Sequence, residues 1–434
     1  MSPSRHPSSW SAIPGRPRAA PLARTGLALL AVAAVAGATT WNVSSVTQLH
    51  NAVNGAGYND EIIIAPGTYN LSQELVLNDQ LLTIRGQSGN RDDVTLVGSG
   101  FNTMGSVNIG MHVYSDNITI RDLTLTQMWH HAVQIHGEFD VDGTTISNVK
   151  TLNIGTQHIK GSTNFGNASA ISDNGVIQHC HMENTQPRSH GDEYTAGIDI
   201  LGANNWRIHD NFIKNVYGDA GAGGAAIFVW QGVKDCVTEN NVIVGSGKGI
   251  SYGIPGGGGH AWMPGLDIDG GIIRNNFVLR GTHFDNIALE VSNAKNLKVY
   301  NNTVYSGNAS YFRAVHIYGA NTTGVDSRYN IIRGKIFRNG ADWSETGNIV
   351  DTTGATAVPG WFVDVADADF HLTALAAGAI DQGLTLGEVP ADIDGDARPF
   401  GAFPDVGADE YVPEPCSAGL LVLGLCALVK RRRP

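Results

Sequence analysis

The sequence of 434 residues predicts an all-β protein, a right-handed parallel β-helix of about ten rungs with a capping helix at its start. Three observations predict this fold. Eleven-residue phrases recur, their apolar residues alternate with a period of two, and polar turns separate them. The spacings between phrases vary, whereas helical repeats keep a fixed helix-sized period. The phrases begin at Asn117, Thr144, Gly175, Asn205, Asp235, Gly270, Asn296 and Gly324.

An asparagine column accompanies the repeats. Asn240, Asn275 and Asn301 fall at one position of the phrase, and another asparagine follows each of them, at 241, 276 and 302. A side-chain amide at a repeated bend can donate to the rung above and accept from the rung below. The column is therefore expected to belong to the scaffold.

The segment before the repeats predicts a cap. Residues 45–57, SVTQLHNAVNGAG, form an amphipathic helix pattern, and residues 60–71, DEIIIAPGTYNL, a buried strand and a turn. A helix over the first rung would shield its open edge. This segment resembles the opening of β-helix polysaccharide lyases of the chondroitinase B and alginate lyase group, within the pectate-lyase-like superfamily, although Asn59-Asp60 replaces their Gly-Asp. The resemblance implies fold more than chemistry.

Both ends carry sorting patterns. Basic residues precede the apolar run 27–35 and small residues follow it, which predicts a signal peptide over residues 1–38. Residues 413–415, Pro-Glu-Pro, then an apolar stretch and a basic end resemble the PEP-CTERM tail of Gram-negative bacteria. The apolar stretch is shorter than the ~20 residues of a stable span. The resemblance implies transient membrane anchoring, a sorting protease and an outer-surface or extracellular location.

The remaining boundaries follow from where the pattern changes. Residues 39–116 are predicted to hold the cap and first rungs, residues 117–346 the β-helix repeats, residues 347–411 a closing segment and residues 412–434 the sorting tail. The closing segment resembles the choice-of-anchor modules of bacterial β-helix proteins. Asp392, Asp394 and Asp396 mimic the start of a calcium loop, but Phe403 stands where the twelfth-position acid belongs, so a structural turn is favoured.

The charge of the chain argues against nucleic acid as a partner, and the positions of its cysteines argue against a disulfide. Removal of residues 1–38 and 416–434 takes away eight basic residues and no acidic ones, so the formal charge moves from −12 to −20. Nucleic acid is therefore an unexpected partner, because phosphate binding needs a basic surface. Cys180 and Cys236 remain and lie two rungs apart, too far for a disulfide, so two free buried thiols are predicted.

Each rung has a further strand whose outward residues form columns. Aligned by apolar residues, these strands begin at Val133, Gln157, Ile198, Ile227, Ile250, Leu289 and Val315. Alternation sends every second side chain outward. One predicted column holds Gln134, His158, Asp199, Phe228, Ser251, Glu290 and His316. The neighbouring column holds His136, Lys160, Leu201, Trp230, Gly253, Ser292 and Tyr318.

Four side chains of these columns are predicted to converge as a catalytic group. Abstraction of a proton beside a uronate carboxylate needs a base and a cation or donor that neutralises the growing charge. Lys160 is the candidate base, and His158 or His136 the candidate donor to the leaving oxygen. Asp199 could orient an imidazole or hold a calcium ion. A solvated polar face without activity is the competing interpretation.

Further residues are predicted to bind substrate. Trp230 and Trp262 offer flat rings to sugar faces, Gln134 and Glu290 offer polar groups, and Arg274 offers a partner for a carboxylate. The group formed by His130, His131 and His136 lacks the spacing of a zinc motif.

The predicted function is binding and β-eliminative cleavage of an acidic polysaccharide. A glycosidase is the first alternative, and it would need two carboxyl groups roughly 5 to 9.5 Å apart. Such a pair would have to come from loops, from Asp219, Asp267, Asp269 or Asp285. A matrix or adhesion protein that binds carbohydrate without cleaving it is the second alternative.

Overall fold

The chain winds as a right-handed parallel β-helix, as predicted. The computed structural model describes residues 37–186, 188, 194–218, 224–281, 287–354 and 358–413. Each turn of the coil contributes strands to three faces, and each strand pairs in parallel with the corresponding strand of the next turn. The predicted signal peptide and the sorting tail lie outside the described residues, apart from residues 37–38 and 412–413.

The first and second faces belong to one continuous sheet, and two long strands, Thr119–Met128 and Thr145–Ile154, run through both. The other strands of the first face are Thr40–Val43, Glu61–Ile64, Thr83–Gly86, Val176–Gln178, Arg207–His209, Val237–Glu239, Ile272–Arg274, Lys298–Tyr300, Val325–Arg328 and Trp343–Thr346. Those of the second face are Gly67–Asn70, Val94–Val97, His181–Glu183, Phe212–Lys214, Val242–Val244, Phe277–Leu279, Thr303–Tyr305, Ile331–Arg333 and Ile349–Asp351.

The third face is a separate sheet whose main ladder has ten described strands. They are Leu75–Leu77, Met111–Val113, Val133–His136, Gln157–Ser162, Ala196–Asn204, Ala225–Lys234, Lys248–Tyr252, Leu289–Ser292, Val315–Tyr318 and Ile336–Asn339. Three short strands extend this sheet, Ser172–Asp173, Ile268–Asp269 and Ala294–Lys295, and Gly259–His260 forms a hairpin with Met263–Pro264.

A helix covers the open end of the first turn. It spans Val46–Gly55, and the Ser45 side chain caps it by accepting a hydrogen bond from the Gln48 N–H at 3.3 Å. Its buried face, which includes Leu49 and Val53, packs on the first strands of the coil and shields their edge, as predicted. Among the described residues, no helix has the length and apolar character needed to cross a membrane.

Left-handed residues mark the start of each repeated phrase. Asn117, Gly143, Asn174 and Asn205 have φ of 58°, 65°, 58° and 55°. Glycine and asparagine tolerate this conformation best. The phrases predicted to begin at residues 144 and 175 were therefore aligned one residue late. Six of the eight predicted starts agree with the observed pairing of the strands.

The asparagine column is a hydrogen-bonded ladder inside the bend between the first and second faces. Asn276 Nδ2 donates to Asn302 Oδ1 at 2.9 Å, and Asn276 Oδ1 accepts from Asn241 Nδ2 at the same distance. The ladder continues through Asn330 to Asn348. The preceding position, Asn240, Asn275 and Asn301, supplies the left-handed bend. The predicted scaffold role is confirmed. The first asparagine of each pair forms the bend, and the second forms the hydrogen-bonded ladder.

The closing segment packs sideways on the coil. A 3₁₀ turn, Val358–Trp361, leads into a hairpin of Phe362–Asp364 with Asp369–Leu372. Aromatic residues of the hairpin pack on Phe277 and Tyr305 of the second face. Farther along, Arg398 and Glu410 form a buried ion pair at 3.0 Å. Asn301 Nδ2 of the coil donates to carbonyl groups of the segment, so backbone polar groups at this contact are satisfied.

Cys180 and Cys236 are free and buried, which confirms the prediction from the rung spacing. Burial raises the pKa of each thiol to about 12. Because the thiolate is the reactive form, these cysteines are inert core residues.

The ladder gives a stability prediction. Asn276→Ala removes an amide that also donates to the carbonyls of Thr238 and Arg274. Loss of these hydrogen bonds leaves buried carbonyl groups unsatisfied and should lower the free energy of unfolding by about 1–3 kcal/mol. The change is measured as a lower denaturant midpoint. Asn54→Ala, on the exposed side of the helix, is the control and should change stability by less than ~0.5 kcal/mol. Equal midpoints for the two variants would contradict the structural role of the ladder.

Candidate functional site

The register of the third face places Lys160 directly opposite Asp199. Ile159 pairs with Val133 on one side and with Ile198 on the other, so Lys160 lies between Gln134 and Asp199. The sequence alignment placed His158 in that position and was wrong by two residues. The observed column runs His112, Gln134, Lys160, Asp199, Phe228, Ser251, Glu290 and His316.

Asp199 is the centre of a polar cluster on this face, hereafter the Asp199 cluster, which also contains Lys160, Tyr194 and Trp230. The Asp199 side chain is fully buried, and its Oδ2 accepts from Lys160 Nζ at 2.6 Å and from the Tyr194 hydroxyl at 2.5 Å. Its Oδ1 accepts from Trp230 Nε1 at 2.8 Å. Lys160 Nζ also donates to the Tyr194 oxygen at 3.0 Å. A buried carboxylate is tolerated here because a cation and two further donors satisfy it.

The members of the cluster differ in access to solvent. Tyr194 is 39% exposed, and the Lys160 side chain is 13% exposed. Trp230 stacks on Phe228 with their ring centroids 4.9 Å apart and their planes within 1°. The hydrogen bond to Asp199 fixes the orientation of the indole. The third face therefore presents the Tyr194 phenol, the Lys160 amine and the fixed Trp230 ring side by side.

His158 lies inside the coil, which corrects its predicted place on the outer surface. At the turn into the third face two consecutive residues point inward, and other turns carry a small residue at the first of them, such as Ala132, Gly197 and Ala226. His158 occupies this position, and its Nδ1 contacts Thr151 Oγ1 at 2.7 Å. Burial lowers its pKa to about 3. It cannot reach a substrate from there.

His136 also lies apart from Lys160 and joins a chain of four side chains. His136 Nε2 faces His112 Nδ1 at 2.9 Å, and His136 Nδ1 contacts Glu138 Oε1 at 2.7 Å. His112 Nε2 contacts Glu74 Oε2 at 2.9 Å. Burial raises the pKa of Glu74 and of Glu138, but the contacts of each carboxylate together outweigh it and hold both pKa values below their ordinary value. These contacts are the histidine in both cases, the N–H groups of Asn108 and Ile109 for Glu74, and the Ser162 hydroxyl for Glu138. Tyr114 stacks on the His136 ring at 3.9 Å.

Glu290 centres a second polar cluster farther along the column. Glu290 Oε2 accepts from Lys248 Nζ at 2.7 Å and from Ser251 Oγ at 2.8 Å, and Oε1 accepts from the Tyr318 hydroxyl at 3.1 Å. His316 stacks on Tyr318 with a centroid distance of 3.8 Å, and burial lowers its pKa. The lysine, carboxylate and phenol repeat the chemistry of the Asp199 cluster three rungs away, roughly 14 Å at the usual strand spacing.

Two predicted substrate-binding residues do not join these clusters. Arg274 lies on the first face, where it and Arg207 share the buried carboxylate of Glu239. The alignment of its phrase already placed it on another strand, and the structure separates it from the site. Trp262 lies in the loop after the strand Lys248–Tyr252, and its Nε1 donates to the Gly232 carbonyl at 2.8 Å.

The loop carboxylates of the glycosidase alternative have structural partners where they are described. Asp267 is fully buried, burial raises its pKa, and its Oδ2 accepts from the Ile254 N–H at 3.1 Å. Asp269 accepts from Asn296 Nδ2 at 3.0 Å. Asp219 and Asp285 lie outside the described residues. The two described carboxylates are therefore acceptors in structural contacts of the coil.

The predicted metal-binding positions do not fit an ion. Asp199 already accepts three hydrogen bonds, and the Lys160 ammonium beside it would repel a metal cation. Asp392 Oδ1 accepts from the backbone of Asp394 and Asp396, so it forms the structural turn that was favoured.

One other group of possible ligands lies where the closing segment meets the second face. His371, Asp394 and Asp409 have ligand atoms within 4.8 Å of one another, beside a cleft of about 250 Å³. His371 contacts Asp369 with Nδ1 at 2.5 Å and Asp394 with Nε2 at 2.8 Å. The hydrogen bond to Asp394 contributes most to raising the His371 pKa to about 9. An imidazolium with both N–H groups engaged has no lone pair for a metal, so this group is an ion-pair cluster.

Comparison with solved structures finds proteins of similar fold and low sequence identity. No protein-family model and no curated protein matches the sequence. Pectate lyase Pel9A is similar with a TM-score of 0.48 and 14% identity over 83% of this chain and 90% of its own. GH136 lacto-N-biosidase from Eubacterium ramulus has a TM-score of 0.49 and 11% identity over 73% of this chain and 68% of its own.

An alginate lyase from Paenibacillus sp. has a TM-score of 0.38 and 16% identity over 72% of this chain and 99% of its own. These neighbours include two polysaccharide lyases and a glycosidase, all at low identity. With TM-scores below 0.5, they transfer no residue role, substrate or activity to this chain. The chain is a right-handed parallel β-helix protein with a polar and aromatic outer column, and its chemistry has to be argued from that column.

Four site residues had no place in the sequence prediction, Glu74, His112, Glu138 and Tyr194. His112 shares the third-face column, but its strand precedes the repeats that were aligned. Tyr194 precedes the strand Ala196–Asn204 and reaches Asp199 from the turn. The small residues at the turn into the third face were a signal in the sequence for the correct register of these strands. Pairing the small residues 132, 197 and 226 with residue 158 would have placed Ile159 opposite Ile198.

The buried imidazole gives a pH prediction. An unfolded His158 takes up a proton below about pH 6.5, whereas the folded one stays neutral to about pH 3. The unfolded state therefore binds more protons in that window, and folding stability falls as pH is lowered through it. His158→Ala should be less stable at neutral pH but should lose less stability on acidification. Denaturant midpoints measured across the window test this, and parallel curves for the two proteins would contradict the buried neutral imidazole.

Proposed function

We propose that the protein binds an acidic polysaccharide along its third face and cleaves it by β-elimination. The observation that carries this proposal is the Asp199 cluster, in which one buried carboxylate holds an amine, a phenol and an indole at one point. A preorganised group of this kind can stabilise charge that develops during a reaction without having to rearrange.

Lys160 supplies the positive charge that a uronate substrate requires. Removal of the proton beside the carboxylate builds negative charge on that carboxylate, and an adjacent ammonium group neutralises it. The sequence suggests Lys160 as the base. A neutral amine, however, would leave the buried carboxylate of Asp199 without its cation, which is costly. The contacts therefore favour the ammonium role.

Tyr194 is the member of the cluster that can take the proton. Tyr194 is 39% exposed, and its hydroxyl oxygen contacts both Lys160 Nζ and Asp199 Oδ2. As the phenol oxygen accepts the substrate proton, its own proton passes to Asp199, and the Lys160 ammonium stabilises the oxygen during the transfer. The C=C bond forms as the C–O bond to the leaving sugar breaks. The leaving oxygen takes the proton now on the phenol, and Asp199 returns its proton to Tyr194. Both distances are within hydrogen-bond reach, as general base catalysis requires.

The aromatic surface supports binding of a sugar chain. Trp230 stacks on Phe228 next to the cluster with the two ring planes parallel, and Trp230 cannot rotate without losing its bond to Asp199. A flat ring held in place binds the apolar face of a pyranose at little cost in side-chain entropy. Gln134 lies in the same column and extends the polar surface on one side. On the other side the buried Glu290 holds Lys248 and Tyr318 in place.

Location outside the cell is part of the proposal. The basic, apolar and small-residue order of residues 1–38 supports export, and the Pro-Glu-Pro, apolar and basic order of residues 412–434 supports sorting by a protease after transient anchoring. A polysaccharide substrate is accessible to a protein in that location.

Assays on a panel of uronate polysaccharides test the activity through the ultraviolet absorbance of unsaturated products. Tyr194→Phe and Lys160→Ala should each lower kcat/KM by about 10²–10⁴. Lys160→Arg should retain more activity than Lys160→Ala, because arginine keeps the charge but cannot act as a base. Lys298→Ala, which removes an exposed ion pair with Glu388, is the matched control and should equal the wild type.

Three results would contradict the proposal. Reducing ends without unsaturated products would indicate hydrolysis, the glycosidase alternative. Glycan binding with neither signal would indicate the adhesion alternative. Complete loss of activity in Lys160→Arg, with product formation intact in Tyr194→Phe, would return the role of base to Lys160.

A further inference from the structure

Two histidines on the third face point nitrogen atoms at each other while carboxylates take their other nitrogens. His112 Nδ1 and His136 Nε2 are 2.9 Å apart. Glu74 contacts the remaining nitrogen of His112, and Glu138 contacts the remaining nitrogen of His136. A neutral imidazole has one N–H and one lone pair. If each ring gives its N–H to its carboxylate, two lone pairs face each other and require a cation between them.

Further hydrogen-bond donors fix the positions of Glu74 and Glu138, the carboxylates that orient the two imidazole rings. Glu74 Oε1 accepts from the backbone N–H groups of Asn108 and Ile109, each at 3.0 Å. Glu138 Oε2 accepts from the Ser162 hydroxyl at 2.5 Å. Metal-bound histidines usually donate their second N–H to such a carboxylate, which fixes the tautomer and the ring orientation. Here both members of the pair have that partner.

Solvent and packing also suit a bound ion. The side chains of His112 and His136 are 13% and 7% exposed, so the pair is largely buried, with His112 the more accessible of the two. The Tyr114 ring stacks on His136 and lies 5.9 Å from His112. Water or a substrate oxygen can complete the coordination from the open side.

We propose that His112 Nδ1 and His136 Nε2 bind a divalent first-row transition metal. With metal–nitrogen bonds of about 2.0–2.1 Å, nitrogens at this separation subtend an angle of roughly 90° at the metal. That angle belongs to adjacent positions of an octahedral or tetragonal ion such as Ni²⁺ or Cu²⁺, and tetrahedral zinc fits less well. Calcium prefers oxygen ligands and is not expected here.

The metal would add positive charge on the same face as Lys160. His112 and Lys160 are two rungs apart in one column, roughly 10 Å at the usual strand spacing. A cation there would offset the acidity of the protein where an anionic chain approaches. This consequence rests on the function proposed above, whereas binding of the metal does not.

Metal binding is tested without polysaccharide, on the purified protein without a polyhistidine tag. Calorimetric titration with Ni²⁺ and Cu²⁺ should show one ion per chain, and the Cu²⁺ resonance spectrum should show nitrogen ligands. Glu74→Gln and Glu138→Gln should each weaken binding by about 10–100-fold, and the His112→Ala and His136→Ala variants should lose it. His316→Ala, a histidine of the same column at the other end, should bind like the wild type.

Circular dichroism spectra and unfolding midpoints establish that each variant is folded, and the two glutamine variants test the site if an alanine variant does not fold. The proposal is overturned if the wild type binds no ion at this stoichiometry, or if the His112→Ala and glutamine variants bind as tightly as the wild type. It is also overturned if nitrogen resonances of the metal-treated protein still show a proton shared between the two rings, because a proton then satisfies the lone pairs.

Discussion

The register between successive turns of the coil determines every contact on the third face. Side chains from distant parts of the sequence meet there only because parallel strands pair residue by residue, and a slip of two residues would move Lys160 away from Asp199. The backbone ladder alone tolerates such a slip. Left-handed residues at the start of each phrase, the asparagine ladder and the small residues at the third-face turn all select one pairing.

The register allows two carboxylates to be buried, because it brings a cation and hydrogen-bond donors to each of them. Asp199 and Glu290 lie in the same outer column and are nearly or fully buried, which an ionised group accepts only with partners. Each has a lysine and a phenol, supplied by other turns or by an adjacent loop. Removal of one partner leaves a charge without compensation, so the clusters are rigid arrangements that fold together with the coil.

The sequence was sufficient for the fold because its signal is repeated many times. Alternation and a left-handed first residue recur in every phrase, and the asparagine ladder runs through the later phrases from Asn211 onward. Single errors, such as the one-residue shift at Gly143 and Asn174, therefore do not change the architecture. The cap helix followed from a local pattern, and the free cysteines followed from the spacing of the rungs. The site depends instead on single positions. His158 interrupts a column of glycine and alanine, and this one departure led the alignment to place it outside.

Residues that reach the site from turns or from the first strands could not be found by aligning repeats. Tyr194 contacts Asp199 from a turn, and Glu74 contacts His112 across 38 residues of sequence. Nothing local distinguishes them from exposed polar residues elsewhere. The chemistry of the third face therefore emerges only after the coil has brought separate turns together.

A crystal structure of the protein with a bound uronate oligosaccharide tests the central claim most directly. The account predicts a sugar chain along the third face, with a uronate carboxylate in hydrogen-bond contact with Lys160, a ring on Trp230 and the Lys160–Asp199 pair intact. A sugar bound elsewhere, or strands paired so that Lys160 and Asp199 no longer face each other, would contradict it.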